Sequence, residues 1–301
     1  MNREWLPYLL LVLLAFVWGS SFILMQTALF DDNRQPVLSV YQVGSLRILV
    51  SGIVLLPFAL RSVKKVPSTA WKWLFLVGFL GSTIPAFLFP AAQLKLPSNI
   101  AGMLNSLTPV FTMIVGFLVF RVAVRRNQVL GILVGLVGAI VVIAFSKQGG
   151  DFTFASVGPA LLIVVATVLY AFSVNIMRHR LVEIPSVAVA SLALTMLAIP
   201  CGVVFFMTDP MTVLETNPAA SKSFLAVVVL SVFSTAIATI VFNRLIQLTS
   251  AMFGSSVTYI IPVFAAMWGF FFNETFSQAV IVGAAIILVG VYLINRKPAS
   301  V

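Results

Sequence analysis

Long apolar runs broken by short polar or charged segments make up nearly the whole of this chain. Runs of roughly 17–24 residues match the hydrocarbon thickness of a bilayer. They predict ten helices, near 7–28, 38–60, 71–92, 98–120, 127–145, 157–177, 186–207, 224–243, 253–272 and 278–294. The breaks are short, leaving no room for a separate soluble domain. The first run is too long for the core of a signal peptide and lacks a cleavage site, so it reads as a retained span.

The pattern repeats. Pro7, Trp18, Ser21 and Met25 are answered 152 positions later by Pro159, Tyr170, Ser173 and Met177, and Ser82-Thr83 by Ser234-Thr235. Pro109-Val110-Phe111 recurs as Pro262-Val263-Phe264 at a spacing of 153, and Gly131 and Gly138 recur as Gly283 and Gly290 at 152. Leu and Val matches are cheap in an apolar protein, so the Pro, Gly and polar matches carry the weight. The expected organisation is a first five-helix repeat over 1–149 and a second over 150–301, joined by an outer linker over 146–156. A unit with an odd number of spans inserts its second copy upside down, so the fold class is an all-α integral membrane protein of two inverted repeats.

Composition agrees, because a chain of 301 residues that is 61% hydrophobic and 9% charged cannot hide its apolar surface without lipid. The formal net charge of +10 would suggest nucleic acid in a soluble protein. Its distribution says otherwise. With the N terminus placed in the cytoplasm, thirteen basic residues fall inside: Arg3, Arg61, Lys64, Lys65, Lys72, Arg121, Arg125, Arg126, Arg178, Arg180, Arg244, Arg296 and Lys297. Four fall outside: Arg34, Lys95, Lys147 and Lys222. The excess is the topology signal of a multi-pass protein with both termini cytoplasmic, and no nucleic-acid partner is expected. The lone Cys201 excludes an intrachain disulfide and a multi-cysteine zinc site.

Pro109 and Pro262 fall near the middle of the fourth and ninth runs. A mid-helix proline lacks an N–H and clashes with the carbonyl four residues earlier, here those of Asn105 and Thr258. In hydrocarbon such a carbonyl is tolerated only where protein, water or ligand satisfies it. The pair predicts two hinges beside a central cavity, with harmless kinking as the structural alternative. Polar flanks support the cavity: Asn105, Ser106 and Thr108 in one half, Ser255, Ser256, Thr258 and Tyr259 in the other.

Arg47 is the one charged residue well inside a run, roughly 15 Å deep at the helical rise. A central arginine costs about 2.5–3.5 kcal/mol on insertion scales, and no Asp or Glu lies at its depth. It either contacts an anionic substrate group or snorkels and ties helix ends together. Trp18-Gly19-Ser20-Ser21-Phe22 and its counterpart Tyr170-Ala171-Phe172-Ser173-Val174, followed by Asn175, serve either close helix packing or substrate contact. Trp268 and Phe264 read as packing. Gly131-x3-Gly135 fits close packing of helices and leaves a homodimer open. The expected substrate-facing set is Trp18, Ser21, Arg47, Asn105, Tyr170, Asn175 and Tyr259.

Enzymatic chemistry finds no support. His179 is the sole histidine and sits in the basic loop Arg178-His179-Arg180. No carboxylate pair or metal-ligand cluster accompanies it, so no catalytic residue, metal or cofactor is expected. No Gly-x4-Gly-Lys-Ser/Thr motif is present, which argues against a self-contained ATP-driven pump. The missing buried Asp, Glu or His also weakens a proton relay.

At these residues the chain resembles the EamA-type ten-helix branch of the drug/metabolite transporter superfamily. Trp18-Gly19-Ser20-Ser21-Phe22 is similar to the family's first-helix opening, and Leu46-Arg47 to its second-helix Leu-Arg pair. Gln93-Leu94-Lys95-Leu96-Pro97-Ser98 followed by Ser106-Leu107-Thr108-Pro109-Val110-Phe111 resembles its third-to-fourth-helix signature. Ile260-Ile261-Pro262-Val263-Phe264 and Asn273-Glu274-Thr275 resemble the second-half version. The family's usual Gly-Glu after the fourth helix is replaced here by Phe120-Arg121. The resemblance implies a basket of helices 1, 3, 4, 6, 8 and 9 around a central cavity. It also implies export or exchange of small metabolites, often amino acids or related compounds, in a bacterial inner membrane. The expected function is therefore secondary transport of a small organic solute by alternating access. A carrier of a nucleotide-sugar or phosphorylated metabolite is the second reading, and a membrane-embedded receptor or enzyme the third.

Overall fold

The computed structural model describes residues 5–145, 157–272, 274 and 277–295. These residues fold as helices, with one isolated antiparallel bridge between Phe30 and Pro36. In chain order the helices are α1 (Leu6–Leu29), α2 (Val40–Ser62), α3 (Trp71–Gly78), α4 (Ile84–Gln93), α5 (Ser98–Asn105), α6 (Thr108–Leu118), α7 (Arg126–Ala144) and α8 (Val157–Arg180). There follow α9 (Ser186–Met207), α10 (Pro210–Thr216), α11 (Ala220–Val229), α12 (Ala238–Leu248), α13 (Ala251–Ser255), α14 (Ile261–Phe271) and α15 (Gln278–Asn295). Eight stretches are long and apolar enough to cross a membrane: α1, α2, α3–α4, α5–α6, α8, α9, α11–α12 and α13–α14. Shorter apolar helices, Arg126–Val142 and Gln278–Gly290, lie within α7 and α15. The expected linker over 146–156 lies outside the described residues, as do Asn273 and Thr275 of the second-half motif.

Four expected spans are not continuous α-helices. α3 and α4 are joined by a π-helical turn, Phe79–Thr83, and α11 and α12 by a longer one, Leu230–Ile237. The two lie at equivalent positions of the sequence repeat. Wide π turns leave carbonyls without their usual i+4 donors and concentrate at functional sites. The fourth and ninth runs are split outright. Pro109 and Pro262 sit in the first turns of α6 and α14, not in the middle of a helix as the sequence suggested. An initiating proline has no N–H that the helix needs, so the chain restarts there without a clash. The exposed carbonyls are closed locally: Thr108 Oγ1 donates to the Asn105 carbonyl at 2.7 Å, and Thr258 Oγ1 to the Ser255 carbonyl at 2.9 Å.

Packing joins the two halves rather than separating them. α2 lies along α9 and α7 along α15, while α1 packs on α14 and α8 on α6. At the α7–α15 contact the backbones nearly touch. A Cβ added at Gly290 would stand 2.4 Å from the Gly135 nitrogen and 2.6 Å from the Gly131 carbonyl oxygen. The Gly131-x3-Gly135 face is thus covered from within the chain. Gly19 works the same way, since a Cβ there would meet the Phe264 Cβ of α14 at 2.5 Å.

Side-chain contacts sort the loops into two ends of the bundle. At one end, Lys222 pairs with Asp32 at 2.6 Å, and Gln42 Nε2 reaches the Thr208 carbonyl at 3.1 Å. Here too Gln26 receives Arg34 Nη1 at 3.2 Å and donates to the Gln93 and Leu96 carbonyls. The buried Glu274 carboxylate accepts the Ser98 N–H at 2.9 Å and the Asn99 N–H at 3.0 Å, capping α5. At the other end, Arg178 Nη1 approaches the Ile246 carbonyl, Gln247 Nε2 donates to the Ile184 carbonyl, and His179 stacks on Phe120. Of the described loop cations, Arg34, Lys95 and Lys222 belong to the first end. Arg61, Lys64, Lys65, Lys72, Arg121, Arg125, Arg126, Arg178, Arg180 and Arg244 belong to the second.

Gly290→Ala should drive α15 away from α7 and destabilise the protein by about 1–3 kcal/mol, the usual range for overpacking. Gly158→Ala, where a Cβ meets nothing within 4 Å, should leave the melting temperature in detergent unchanged or slightly raised. Equal melting of both variants would show that the α7–α15 contact does not limit stability.

Candidate functional site

The irregular segments converge on one cavity. Its wall draws on α1 (Trp18, Ser21, Phe22, Met25), α2 (Arg47), the first π turn (Gly81, Ser82), α4 (Phe89) and the α5–α6 break (Asn105, Thr108). From the second half come α8 (Tyr170, Ser173, Val174, Met177), the second π turn and α12 (Ser234, Thr235, Thr239, Phe242, Asn243, Ile246) and the break before α14 (Ser255, Thr258). Both prolines and both π turns therefore serve one site. Proline breaks turn helix ends toward it, and π turns widen the helix so that polar groups face inward.

The backbone groups that these irregularities expose are met across the two halves. Trp18 Nε1 donates to the Ser234 carbonyl at 2.9 Å, and Ser51 Oγ reaches the Ser231 carbonyl at 2.9 Å. Reciprocally, Ser173 packs over Gly81 of the first π turn and its Oγ donates to the Val77 carbonyl of α3 at 3.2 Å. Aromatic rings form two groups on the wall. Trp18 meets Phe242 edge to face with centroids 4.9 Å apart, while Phe89 lies between Phe22 at 5.6 Å and a stacked Tyr170 at 6.0 Å.

Among the described residues Arg47 is the only charged side chain on this wall. Its Nε donates to Thr235 Oγ1 at 2.7 Å, and Nη1 lies 3.9 Å from Met25 Sδ. Neither partner is anionic, and among the described residues the one ion pair is Lys222–Asp32. The repeat exposes the asymmetry. Thr83, the counterpart of Thr235, has a buried hydroxyl with no partner. The first π turn has the threonine but no arginine to use it.

Of the seven residues expected to face substrate, Trp18, Ser21, Arg47, Asn105 and Tyr170 line the cavity. Ser21 also donates to the Trp18 carbonyl at 2.6 Å, so its oxygen faces the cavity mainly as an acceptor. Asn175 is elsewhere: its Nδ2 donates to the Thr112 and Ala171 carbonyls at 3.0 and 2.9 Å, tying α8 to α6. Tyr259 packs partly buried against the main core, and Ser255 and Thr258 of the same segment reach the cavity instead. Pro109 and Pro262 are buried behind the wall rather than on it. The short motif around Trp18 divides its labour, with Gly19 for packing and Ser21 for the cavity. Between them, Ser20 Oγ accepts Trp268 Nε1 at 2.8 Å.

Thr239 and Asn243 are wall residues that the sequence reading missed. With Thr235 of the preceding π turn they fall at i, i+4 and i+8, one polar stripe, and that spacing was the available signal. Among the described residues no group of three His, Cys, Asp or Glu could hold a metal ion.

Thr235→Val should strand Arg47 Nε beside an apolar group. A lost hydrogen bond to a charged donor is worth about 1.5–3 kcal/mol, so the melting temperature should fall, whereas Thr235→Ser should hold near wild type. Indistinguishable melting of the valine and serine variants would show that the arginine does not depend on this hydroxyl.

A family model described as the EamA-like transporter family matches residues 5–144 and 158–296. An uncharacterised inner membrane transporter of Escherichia coli strain K12, YedA, is 28% identical over 98% of this chain and 95% of its own. A protein of Chlamydia trachomatis named as an S-adenosylmethionine/S-adenosylhomocysteine transporter is 25% identical, over 96% and 88% of the two chains. A Salmonella typhimurium protein named "probable amino-acid metabolite efflux pump" is 26% identical, over 94% and 93%. A solved crystal structure aligns with a TM-score of 0.66 at 20% identity, covering 96% of each chain, and shares the fold.

Proposed function

The chain belongs to the EamA-like transporter family, and from that membership we propose that it is a secondary transporter of a small organic metabolite, an amino acid or related compound, exported or exchanged across the inner membrane. The observation that carries the reading is the cavity itself. Both matched segments build it, at the level where each has a broken helix and a π turn. In this reading ten spans form two inverted five-helix halves, 1–149 and 150–301, that rock about the cavity. The reciprocal packing of α1 on α14 and α8 on α6 supports the inversion. Pro109 and Pro262 mark the points where the half-helices change direction. The end rich in Arg and Lys faces the cytoplasm with both termini, as retention of positive charge during insertion requires. Wall residues bind and orient solute; no covalent step and no cofactor is invoked.

Reconstituted protein should give saturable flux of at least one small metabolite, measured with a panel of radiolabelled amino acids and related compounds. Trp18→Ala combined with Asn105→Ala should lower that flux about tenfold or more, as loss of aromatic and hydrogen-bond contacts predicts. Tyr292→Ala, on an exposed surface, should not change it. Normal flux in the double variant, at equal reconstitution, would remove this cavity from the transport path. For topology, a cysteine placed at Lys222 in a Cys201→Ser background should react with impermeant maleimide from outside intact cells. One placed at Arg125 should react only after permeabilisation, and the opposite pattern would reverse the orientation.

A further inference from the structure

Within the transport reading of this cavity, on which the inference rests, we propose a narrower solute class, the related compounds that lack an ammonium group rather than the zwitterionic amino acids: a monoanion with one carboxylate bound by Arg47, carried on a planar apolar body. Among the described residues the wall has a cation and no anion. Arg47 meets only a hydroxyl through Nε and a thioether through Nη1, and Nη2 donates to no group among the described residues. A guanidinium held by Nε turns its two Nη groups outward as a fork, the geometry that matches a carboxylate. In a low-dielectric bundle that unanswered charge is the strongest recognition element on the wall.

A second, independent observation points the same way. Asn243 is buried on the cavity wall, and its Nδ2 donates to no group among the described residues. Of the buried side-chain N and O atoms without a partner among the described residues, Asn243 Nδ2 alone belongs to a residue of the wall, and an acceptor there would answer it. Unanswered donors thus stand at two levels of the wall, Arg47 beside Thr235 and Asn243 below the surface. It holds no carboxylate that could receive an ammonium group. A cationic solute is repelled, and a zwitterion buries its ammonium opposite neutral groups only. A phosphate dianion would leave one negative charge uncompensated beside a single guanidinium. At the basic end, Arg178 Nη1 bonds the carbonyl of Ile246, a wall residue, and adds positive potential on that side of the cavity. The aromatic groups Trp18–Phe242 and Phe89–Tyr170 supply ring faces and edges for a flat apolar body.

Near-isosteric ligands test the charge directly. Calorimetric titration of the purified full chain should compare phenylacetate, phenylacetamide, phenethylamine, phenylalanine and phenyl phosphate. Phenylacetate should bind about tenfold or more tightly than phenylacetamide, the difference expected of a charge-assisted contact, and each of the other three should also bind more weakly. Arg47→Gln should bring phenylacetate down to the level of the amide, and Arg47→Lys should restore part of the preference. Should Arg47→Gln fail to fold, the wild-type ratio of acid to amide still decides, and Asn243→Leu should weaken acid binding independently. Equal binding of acid and amide, stronger binding of the amine, zwitterion or phosphate, or no saturable binding by any of the five would overturn the proposal. Flux separates it from the reading beneath it. Acid-selective binding without saturable uptake into proteoliposomes defeats transport alone. Saturable uptake of neutral or cationic solutes in preference to anions defeats the monoanion alone.

Discussion

In hydrocarbon a backbone carbonyl or N–H without a partner costs several kcal/mol, and this constraint governs where the chain departs from regular helix. Two π turns and two breaks interrupt it, and named side chains bond carbonyls at or beside each. Trp18 and Ser51 serve the second π turn, and Ser173 the first, while Thr108 and Thr258 close the breaks. Most of these side chains also form the cavity wall. The groups that make irregular backbone tolerable are therefore the groups that a solute would meet. Fold and site share one set of hydrogen bonds.

The apolar runs made the helices legible, because run length in a membrane chain follows bilayer thickness directly. The expected run 186–207 and the observed Ser186–Met207 coincide. The breaks were harder. Pro109 and Pro262 announced an irregularity, yet proline alone does not say whether a helix bends or ends and restarts; neighbouring threonines decided that by closing the free carbonyls. The π turns left no mark in the periodicity, since a widened turn in an all-apolar run changes no hydrophobic face. Asn175 shows another limit. An asparagine deep in a membrane run needs partners, and sequence does not tell whether they are solute atoms or the carbonyls of Thr112 and Ala171. Thr239 and Asn243 were readable as a stripe with Thr235 but were overlooked beside the stronger repeat signal.

The halves match in backbone and differ in chemistry. Irregular turns recur at equivalent positions, but Arg47 has Thr235 for a partner while Thr83 keeps an unanswered hydroxyl. A symmetric scaffold allows two conformations of similar energy; side chains present in one half alone give the cavity a sign and a direction.

The fastening of the two broken spans differs as well. Glu274 grips the start of α5 through two charge-assisted bonds, and Asn105, at the other end of that helix, stands on the cavity wall. α13, its counterpart, starts on a hydroxyl from its own segment, Ser250 Oγ accepting the Phe253 N–H at 3.0 Å. Where the family's first-half carboxylate would stand, this chain has Arg121. One half-helix starts on a charged cap from a distant segment and the other on a neutral cap from its own, with Phe253 of α13 also packed edge to face on Tyr8 of α1. The two broken spans thus begin on unlike electrostatic footings: breaking the cap of α5 leaves a buried charge unanswered, and breaking that of α13 frees only a neutral hydroxyl.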